Sequence, residues 1–261
     1  MGNFGSESFK MEMGIVEREE VVEKYLVIED NLASDILSCD FSQSKVKFIL
    51  NPLDYARQPH RLYLDQYLGS VKHVLFVGLN PGPWGMCQTG VPFGDVRQCR
   101  EFLNISGHVT TPDSCPSKVK IKGFESTRRE VSGERFWNFV KQKFVTADNF
   151  FKNCFVTNYC PLAFLRESGK NITPSEFSSD LRRLVYDYCD QALLETIHLL
   201  KCRSIVAVGK TAFDRLTKLK TVNNLEDLSL VYLMHPSPAN PAANRDWGSS
   251  AHHTLAPLNL Y

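Results

Sequence analysis

Four short runs of consecutive apolar residues divide the chain, and polar or amphipathic segments separate them. The runs lie at residues 74–77, 154–156, 205–208 and 230–233. A segment that is apolar at every position is typical of a strand buried on both faces of a parallel sheet. Because helical patterns lie between the runs, the sequence predicts an α/β fold in which a central parallel sheet carries helices on both faces.

Two helix starts are visible between these runs. Thr173 precedes a proline and stands three residues before Glu176, which is the pattern of a capping box. Ser132 is the predicted N-cap of another helix, which contains Phe136 and Phe139. The helix predicted after Thr173 places these apolar residues on one face: Phe177, Leu181, Leu184, Val185, Tyr188, Ala192 and Ile197.

Composition is that of an ordinary globular protein. The 261 residues are 43% hydrophobic and 23% charged with a formal net charge of +1, so overall charge does not favour a polyanionic partner. No stretch reaches the ~18 apolar residues of a membrane span, and no signal-peptide pattern opens the sequence. We expect an intracellular protein with a disordered segment at residues 1–20 and a single domain at residues 21–261.

The eight cysteines contain no Cys-x-x-Cys pair, which is the spacing of zinc-ribbon and iron–sulfur sites. We therefore expect reduced, mostly buried thiols, no metal site and no cofactor.

The candidate chemistry lies where the predicted strands end, because ligands of open α/β sheets bind beyond the carboxyl ends of the strands. The first strand leads into a loop with five glycines and three prolines in residues 78–94, which would fix Asn80 at the strand tip and present Phe93 from a turn. Asn158 follows the second strand, and His235 follows the last one, held at the strand tip by Pro236 and Pro238. Each has a structural alternative: Phe93 as a core residue, Asn158 as a turn cap, and His235 as a satisfied polar residue.

A fourth strand end carries Gly209, Lys210 and Thr211, which resemble the end of a nucleotide-binding P-loop. That motif needs a glycine at position 204, where Ser204 stands, so Gly209 is better explained as the start of a tight strand-to-helix turn.

Together these residues suit a flat heterocycle with a hydrogen-bonding edge. An aromatic face, an amide that reads donors and acceptors, and a polar pair beside the bond to be broken would lie on one edge of the sheet. An amide presents one acceptor and two donors side by side.

Four segments carry a specific resemblance. They read GLNPGPWGM at 78–86, QTGVPFG at 88–94, NYCPL at 158–162 and HPSP at 235–238, and the likeness extends over roughly residues 45–250. They resemble the single-strand-selective monofunctional branch of the uracil-DNA glycosylase superfamily. The resemblance implies a four-stranded parallel sheet and a DNA-repair enzyme that hydrolyses the glycosidic bond of uracil, or of oxidised uracils such as 5-hydroxymethyluracil, in single- or double-stranded DNA.

The same resemblance implies the role of each residue. Asn80 would position the attacking water, and His235 would donate to a pyrimidine oxygen. Phe93 would stack on the flipped base and Asn158 would read its edge. The base pocket would be shaped by Leu79, Gly82 and Met86, and a wedge entering the duplex would be formed by Pro238, Ala239, Asn240, Pro241, Asn244 and Arg245.

The chain departs from the family at three positions. Ala239 stands where the family wedge has a basic residue, and Leu79 and Trp84 stand where it usually has Met and Phe. The absence of lysine from the four motifs argues against a Schiff-base lyase step. By the resemblance we expect a nuclear monomer whose partner is damaged DNA. An enzyme of free pyrimidine nucleosides or nucleotides and an inactive DNA-damage binder remain alternatives.

Overall fold

The computed structural model describes residues 4–69 and 71–261, with the side chains of the first helix described from residue 17 onward. The strands are β1 (Phe48–Leu50), β2 (Val74–Gly78), β3 (Cys154–Asn158), β4 (Ala163–Leu165), β5 (Asn171–Ile172), β6 (Ser204–Val208) and β7 (Ser229–Leu233). The α-helices are α1 (Phe4–Leu37), α2 (Pro52–Tyr55), α3 (Arg57–Tyr67), α4 (Met86–Thr89), α5 (Val96–Glu101), α6 (Val131–Phe144), α7 (Ala147–Phe151), α8 (Ser179–Leu200), α9 (Lys210–Val222) and α10 (Pro241–Leu255).

The four predicted strands form one parallel sheet in the order β3-β2-β6-β7. Neighbouring residues of a strand point to opposite faces, and the aromatic contacts show that both faces are covered. Phe155 of β3 contacts Tyr25 of α1 and Tyr63 of α3. Phe76 of β2, which is paired with the residue after Phe155, contacts Phe136 of α6 instead. The predicted architecture, a four-stranded parallel sheet between helices, is confirmed.

A second sheet was not predicted. Strands β1, β4 and β5 pair antiparallel in the order β1-β4-β5 beside the main sheet. They contain three, three and two residues, which is too short for a hydrophobic period to be recognised.

The two helix starts in the structure differ in detail from the predicted ones. The capping box at Thr173 is present, but it caps a single 3₁₀ turn, Pro174–Glu176, and α8 begins only at Ser179. Leu184, predicted on the buried face of that helix, is 42% exposed. The N-cap of α6 is Glu130 rather than Ser132, because the longer carboxylate reaches the amide nitrogens of Ser132 and Gly133.

The N-terminal segment is part of a long helix. Disorder is expected over residues 1–20, whereas α1 begins at Phe4, and residues 1–3 lie outside the described residues. The Arg18 guanidinium donates to the carbonyl oxygens of Asp65 and Gln66 at 2.6 and 2.5 Å, and Val22 is buried. These contacts hold the helix against α3 from residue 18 onward.

No described helix combines the length and the apolar character needed to cross a membrane.

Candidate active site

A cleft of about 350 Å³ opens at the carboxyl ends of the four parallel strands. It is lined by every residue predicted for the base pocket and the chemistry, namely Leu79, Asn80, Gly82, Met86, Phe93, Asn158 and His235. The sheet brings these residues together because β2, β3 and β7 all end at this edge. The predicted wedge residues lie outside the cleft, at the beginning of α10.

His235 is held in one tautomer by its own loop. The backbone N–H of Ser237 donates to Nδ1 of His235 at 3.1 Å, so Nδ1 is the acceptor and the proton of the neutral ring lies on Nε2. Burial lowers the pKa of His235 to about 4, which keeps the imidazole neutral near pH 7. The ring is therefore a neutral donor through Nε2.

Phe93 serves both of the alternatives considered for it. Its ring stacks on Phe136 with centroids 5.1 Å apart and planes inclined by 16°, and it also lines the cleft, 6.1 Å from the His235 ring. Its φ of 54° is unusual for a side chain of this size. The indole N–H of Trp137 donates to the Phe93 carbonyl at 3.0 Å and fixes this turn to α6.

Asn158 approaches the end of β2 very closely. A Cβ atom on Gly78 would lie 2.4 Å from Oδ1 of Asn158 and 3.0 Å from the Phe93 ring, so only glycine fits there. The Asn158 amide nitrogen donates to Sδ of Met86 at 3.2 Å. Asn158 is thus fixed among cleft residues, and its amide edge belongs to the cleft wall.

Asn80 is oriented by a residue of the short second sheet. Its amide nitrogen donates to Oδ1 of Asn171 at 3.4 Å, a long hydrogen bond. With one N–H directed at Asn171, the carbonyl oxygen of Asn80 can accept a hydrogen bond from a water in the cleft.

The cleft is also lined by residues that were not predicted to belong to the site: Glu130, Ser132, Asn171, Thr173, Gly209, Lys210, Thr211 and Ser237. Gly209 and Lys210 belong to the strand end that resembles a P-loop but is better explained as a strand-to-helix turn. Gly209 has φ of 100° and lies against His235, since an added Cβ would be 3.3 Å from that ring. Lys210 lines the cleft, and its ammonium pairs with Asp214.

Glu130 is the carboxyl group of this cleft. It accepts from the first amides of α6, and an added Cβ on Gly85 would lie 2.9 Å from its Cγ. Burial raises the pKa of the Glu130 carboxyl. Glu130 therefore supports the glycine that precedes Met86, and its role depends on a contact 45 residues away in sequence, which no local pattern reveals.

The segment expected to form the wedge is a preformed turn. The Asn244 amide donates to the carbonyl oxygen of Pro238 at 2.8 Å, and Asn240 caps α10 by accepting from Ala242 at 3.1 Å. Asp246 has non-helical dihedrals (φ −160°, ψ 85°), so the first turn of α10 is separated from the rest by a kink. Of the six predicted wedge residues, five are exposed: Pro238, Ala239, Pro241, Asn244 and Arg245.

Arg135 of α6 holds this turn and was missed as a functional residue. Its guanidinium donates to the carbonyl oxygen of Pro236 and to Oδ1 of Asn244, both at 2.9 Å. Two acceptors from one turn therefore share one planar donor group.

No group of three or more His, Cys, Asp or Glu side chains able to hold a metal occurs among the residues that the structure describes.

A parallel α/β sheet with Asn80, Asn158, Phe93 and His235 at its carboxyl edge is the arrangement expected of a hydrolase that recognises a nucleobase. Comparison with known proteins agrees with this class, since residues 67–254 match the uracil DNA glycosylase superfamily. The chain belongs to this superfamily and, within it, to the single-strand-selective monofunctional branch, as the resemblance predicted.

The relatives that carry this assignment are close. The chain is 40% identical to the single-strand selective monofunctional uracil DNA glycosylases of Bos taurus and Rattus norvegicus over 240 residues, which is 92% of this chain and 88% and 86% of those proteins. The crystal structure of SMUG2 from Pedobacter heparinus shares the fold with a TM-score of 0.63 at 19% identity, covering 89% of this chain and 97% of that one.

Proposed function

We propose that the protein hydrolyses the N-glycosidic bond between uracil and deoxyribose in DNA and leaves an abasic site, as a step of base excision repair. The observation that carries the proposal is the tautomer of His235: a neutral ring, fixed by the Ser237 amide, presents an N–H donor to the cleft. Cleavage of the glycosidic bond moves negative charge onto the leaving base, and a donor at the pyrimidine oxygen stabilises that charge selectively in the transition state.

The other cleft residues complete the reaction. Phe93 stacks on the flipped pyrimidine, and Asn158 pairs its amide with N3–H and O4, which cytosine presents with the opposite pattern. The Asn80 carbonyl oxygen orients the water that attacks the sugar. An amide is a poor base, so Asn80 positions this water rather than deprotonating it in the ground state.

The same chemistry involves no covalent enzyme intermediate. A lyase step needs an amine nucleophile directed at the sugar carbon, whereas the Nζ of Lys210, a residue of the cleft lining, is directed at the carboxylate of Asp214. The activity is thus monofunctional.

We propose that oxidised 5-substituted uracils such as 5-hydroxymethyluracil are substrates as well. An added Cβ on Gly82 would meet no atom within 4 Å, so the cleft has unfilled space beside this glycine. Gly82→Ala places a methyl group in that space, and it should reduce excision of 5-hydroxymethyluracil more than excision of uracil. Equal loss on both bases would mean that Gly82 does not border the 5-substituent.

The test of the central proposal is release of base from single- and double-stranded oligonucleotides containing uracil, 5-hydroxymethyluracil or thymine, under single-turnover conditions. Uracil should be released from both forms of DNA, and Asn80→Ala should slow the release by on the order of 10²-fold, the scale of a lost preorganised polar group. Cleavage of free deoxyuridine in preference to the oligonucleotide would support the nucleoside enzyme, and binding without release would support the inactive binder. Repair of genomic DNA places the proposed activity in the nucleus, and the protein is expected to act as a monomer.

A further inference from the structure

A basic surface borders the cleft on the side of Trp84. Residues 112–129 contain five basic and two acidic residues, a net charge of +3 in a chain whose net charge is +1. Val119 and Ile121 are buried, and the alternating Lys118, Lys120 and Lys122 are exposed. The two acidic residues of the segment are Asp113 and Glu125, and its last residue, Arg129, is paired with Glu134.

The segment is fixed to the loop that forms the cleft. The buried Gln88 side chain donates to the carbonyl oxygens of Pro83 and Lys120 at 3.0 and 3.2 Å and accepts from the Lys122 amide at 2.9 Å. All of these bonds come from one amide group, so the backbone that carries the two lysines is held rigidly beside Trp84.

Arg128 lies over the Trp84 ring, with its guanidinium carbon 4.5 Å from the ring centroid. The indole is only partly buried, and it packs on the small core cluster that includes Val119 and Ile121. Arg128 itself is exposed, so one side of its guanidinium rests on the indole and the other faces solvent.

Two chain segments, the loop that contains Trp84 and the stretch that contains Arg128, connect this surface to the cleft. Trp84 directly precedes Gly85, and Arg128 stands two residues before Glu130; Gly85 and Glu130 both line the cleft. Among the described residues, Lys118, Lys120, Lys122 and Arg128 take part in no salt bridge, so their charges are free to meet phosphates.

We propose that Trp84, Arg128, Lys120 and Lys122 form a binding site for the unpaired DNA strand that flanks the flipped nucleotide. A nucleobase next to the damaged one stacks on the outer face of the Arg128 guanidinium, and the two lysines contact the backbone phosphates. An unpaired strand fits this site because its bases are free to leave the stack, whereas the bases of a duplex are engaged with their partners. The inference rests on the proposed DNA substrate and adds a second contact region to it.

The test compares two triple variants with the same loss of charge. The site variant is Lys120→Gln/Lys122→Gln/Arg128→Gln. The control variant is Lys152→Gln/Lys201→Gln/Arg203→Gln, which changes three exposed residues close to the amino ends of β3 and β6, at the opposite edge of the sheet. Binding is measured by fluorescence anisotropy on an undamaged single strand of about fifteen nucleotides, a length within the range that one single-strand binding surface occupies.

The site variant should bind on the order of tenfold more weakly than wild type, the scale of a few exposed charge contacts. The slope of log affinity against log salt concentration should fall by roughly 1.4, since each of the two lost phosphate contacts on a single strand removes about 0.7. The control variant should bind as wild type does. Equal affinities and slopes for the two variants would overturn the proposal.

Uracil release separates this proposal from the proposed function. On a long uracil-containing strand the site variant should lose more activity than on a strand that ends beside the uracil, because the short strand never reaches the surface. The same fractional loss on both strands would overturn the proposed flanking site, but it would not contradict the proposed glycosylase activity. Wild-type protein that releases no uracil from either strand would instead overturn the proposed function, and the anisotropy measurement would still decide on the strand-binding surface.

Two further variants test the support of Arg128 by Trp84. Trp84→Phe keeps an aromatic ring under Arg128 and should retain most of the binding, whereas Trp84→Leu should not.

Discussion

Protonation of His235 should make the stability of the protein depend on pH in a defined direction. Burial lowers its pKa from 6.5 to about 4 in the folded protein, and the Ser237 amide, which points at Nδ1, disfavours a second ring proton. Below pH 6.5 the unfolded chain takes up a proton that the folded protein refuses. The free energy of unfolding is therefore fully retained above pH 6.5 and falls as the pH drops toward 4.

The two pKa values set the size of this effect. Between about pH 7.5 and about pH 5, the difference in proton binding costs at most about 2 kcal/mol of unfolding free energy. His235→Asn removes this contribution while it keeps a small polar side chain at the strand tip. Urea unfolding of wild type and His235→Asn across this pH range isolates the contribution of His235 to the free energy of unfolding, because every other titrating group is present in both proteins.

Catalysis by the neutral ring gives a second readout of the same pKa. Single-turnover uracil release should stay level from about pH 8 to about pH 5, and the limb due to His235 should lie near pH 4. A titration near pH 6.5 in the release rate, or identical pH dependence of stability in wild type and His235→Asn, would refute the assignment of a buried neutral donor.

Three further substitutions test the surroundings of this donor. Asn158→Asp should weaken uracil release and lower the preference for uracil over cytosine, whereas an unchanged ratio in Asn158→Ala would reduce this residue to a turn cap. Ala239→Arg should raise activity on duplex uracil more than on single-stranded uracil, because extruding a base from a duplex costs a few kcal/mol, whereas extrusion from a single strand costs less. Both substrates are measured at two salt concentrations. Equal gains on the two would place Ala239 outside the wedge. Arg135→Met should reduce duplex activity on the order of tenfold with little effect on a short single strand, since losing charged hydrogen bonds to Pro236 and Asn244 destabilises the turn by roughly 1.5–3 kcal/mol. Arg135→Lys is the control and should restore part of the activity. Equal losses on both substrates would show that Arg135 supports only the fold.

The main sheet and the base pocket were predictable because their signals are local. A strand buried on both faces must be apolar at every position, and the residue at its carboxyl end must lie at the ligand-binding edge. Asn80, Asn158 and His235 each follow such a run within three residues, so sequence order alone places them at the same edge. Their presence in the cleft is observed; their roles in catalysis remain proposals.

The supporting residues were not predictable for the opposite reason. Arg135 contacts Pro236 and Asn244 across 101 and 109 residues, and nothing near Arg135 in the sequence marks it as different from an exposed helix residue. Glu130 replaced Ser132 as the helix cap because a longer side chain can reach the same amides, an outcome that the usual preference for serine does not anticipate. The basic surface is not evident from the sequence, because its lysines alternate with apolar residues and form no continuous run.

Helix α6 anchors three separate parts of the candidate site. Its N-cap, Glu130, supports the glycine before Met86, its Trp137 fixes the Phe93 turn, and its Arg135 holds the turn expected to enter the duplex. A base that leaves the duplex must be replaced in the stack by the wedge and received by the aromatic ring at the same time. Because one rigid helix carries the anchors of both, the distance between the wedge and the ring is set before DNA binds. In the proposed function, a wedge that enters the duplex would deliver the base to a ring whose position is already fixed. Such preorganisation suits a site that has Asn80 in place of a catalytic carboxylate.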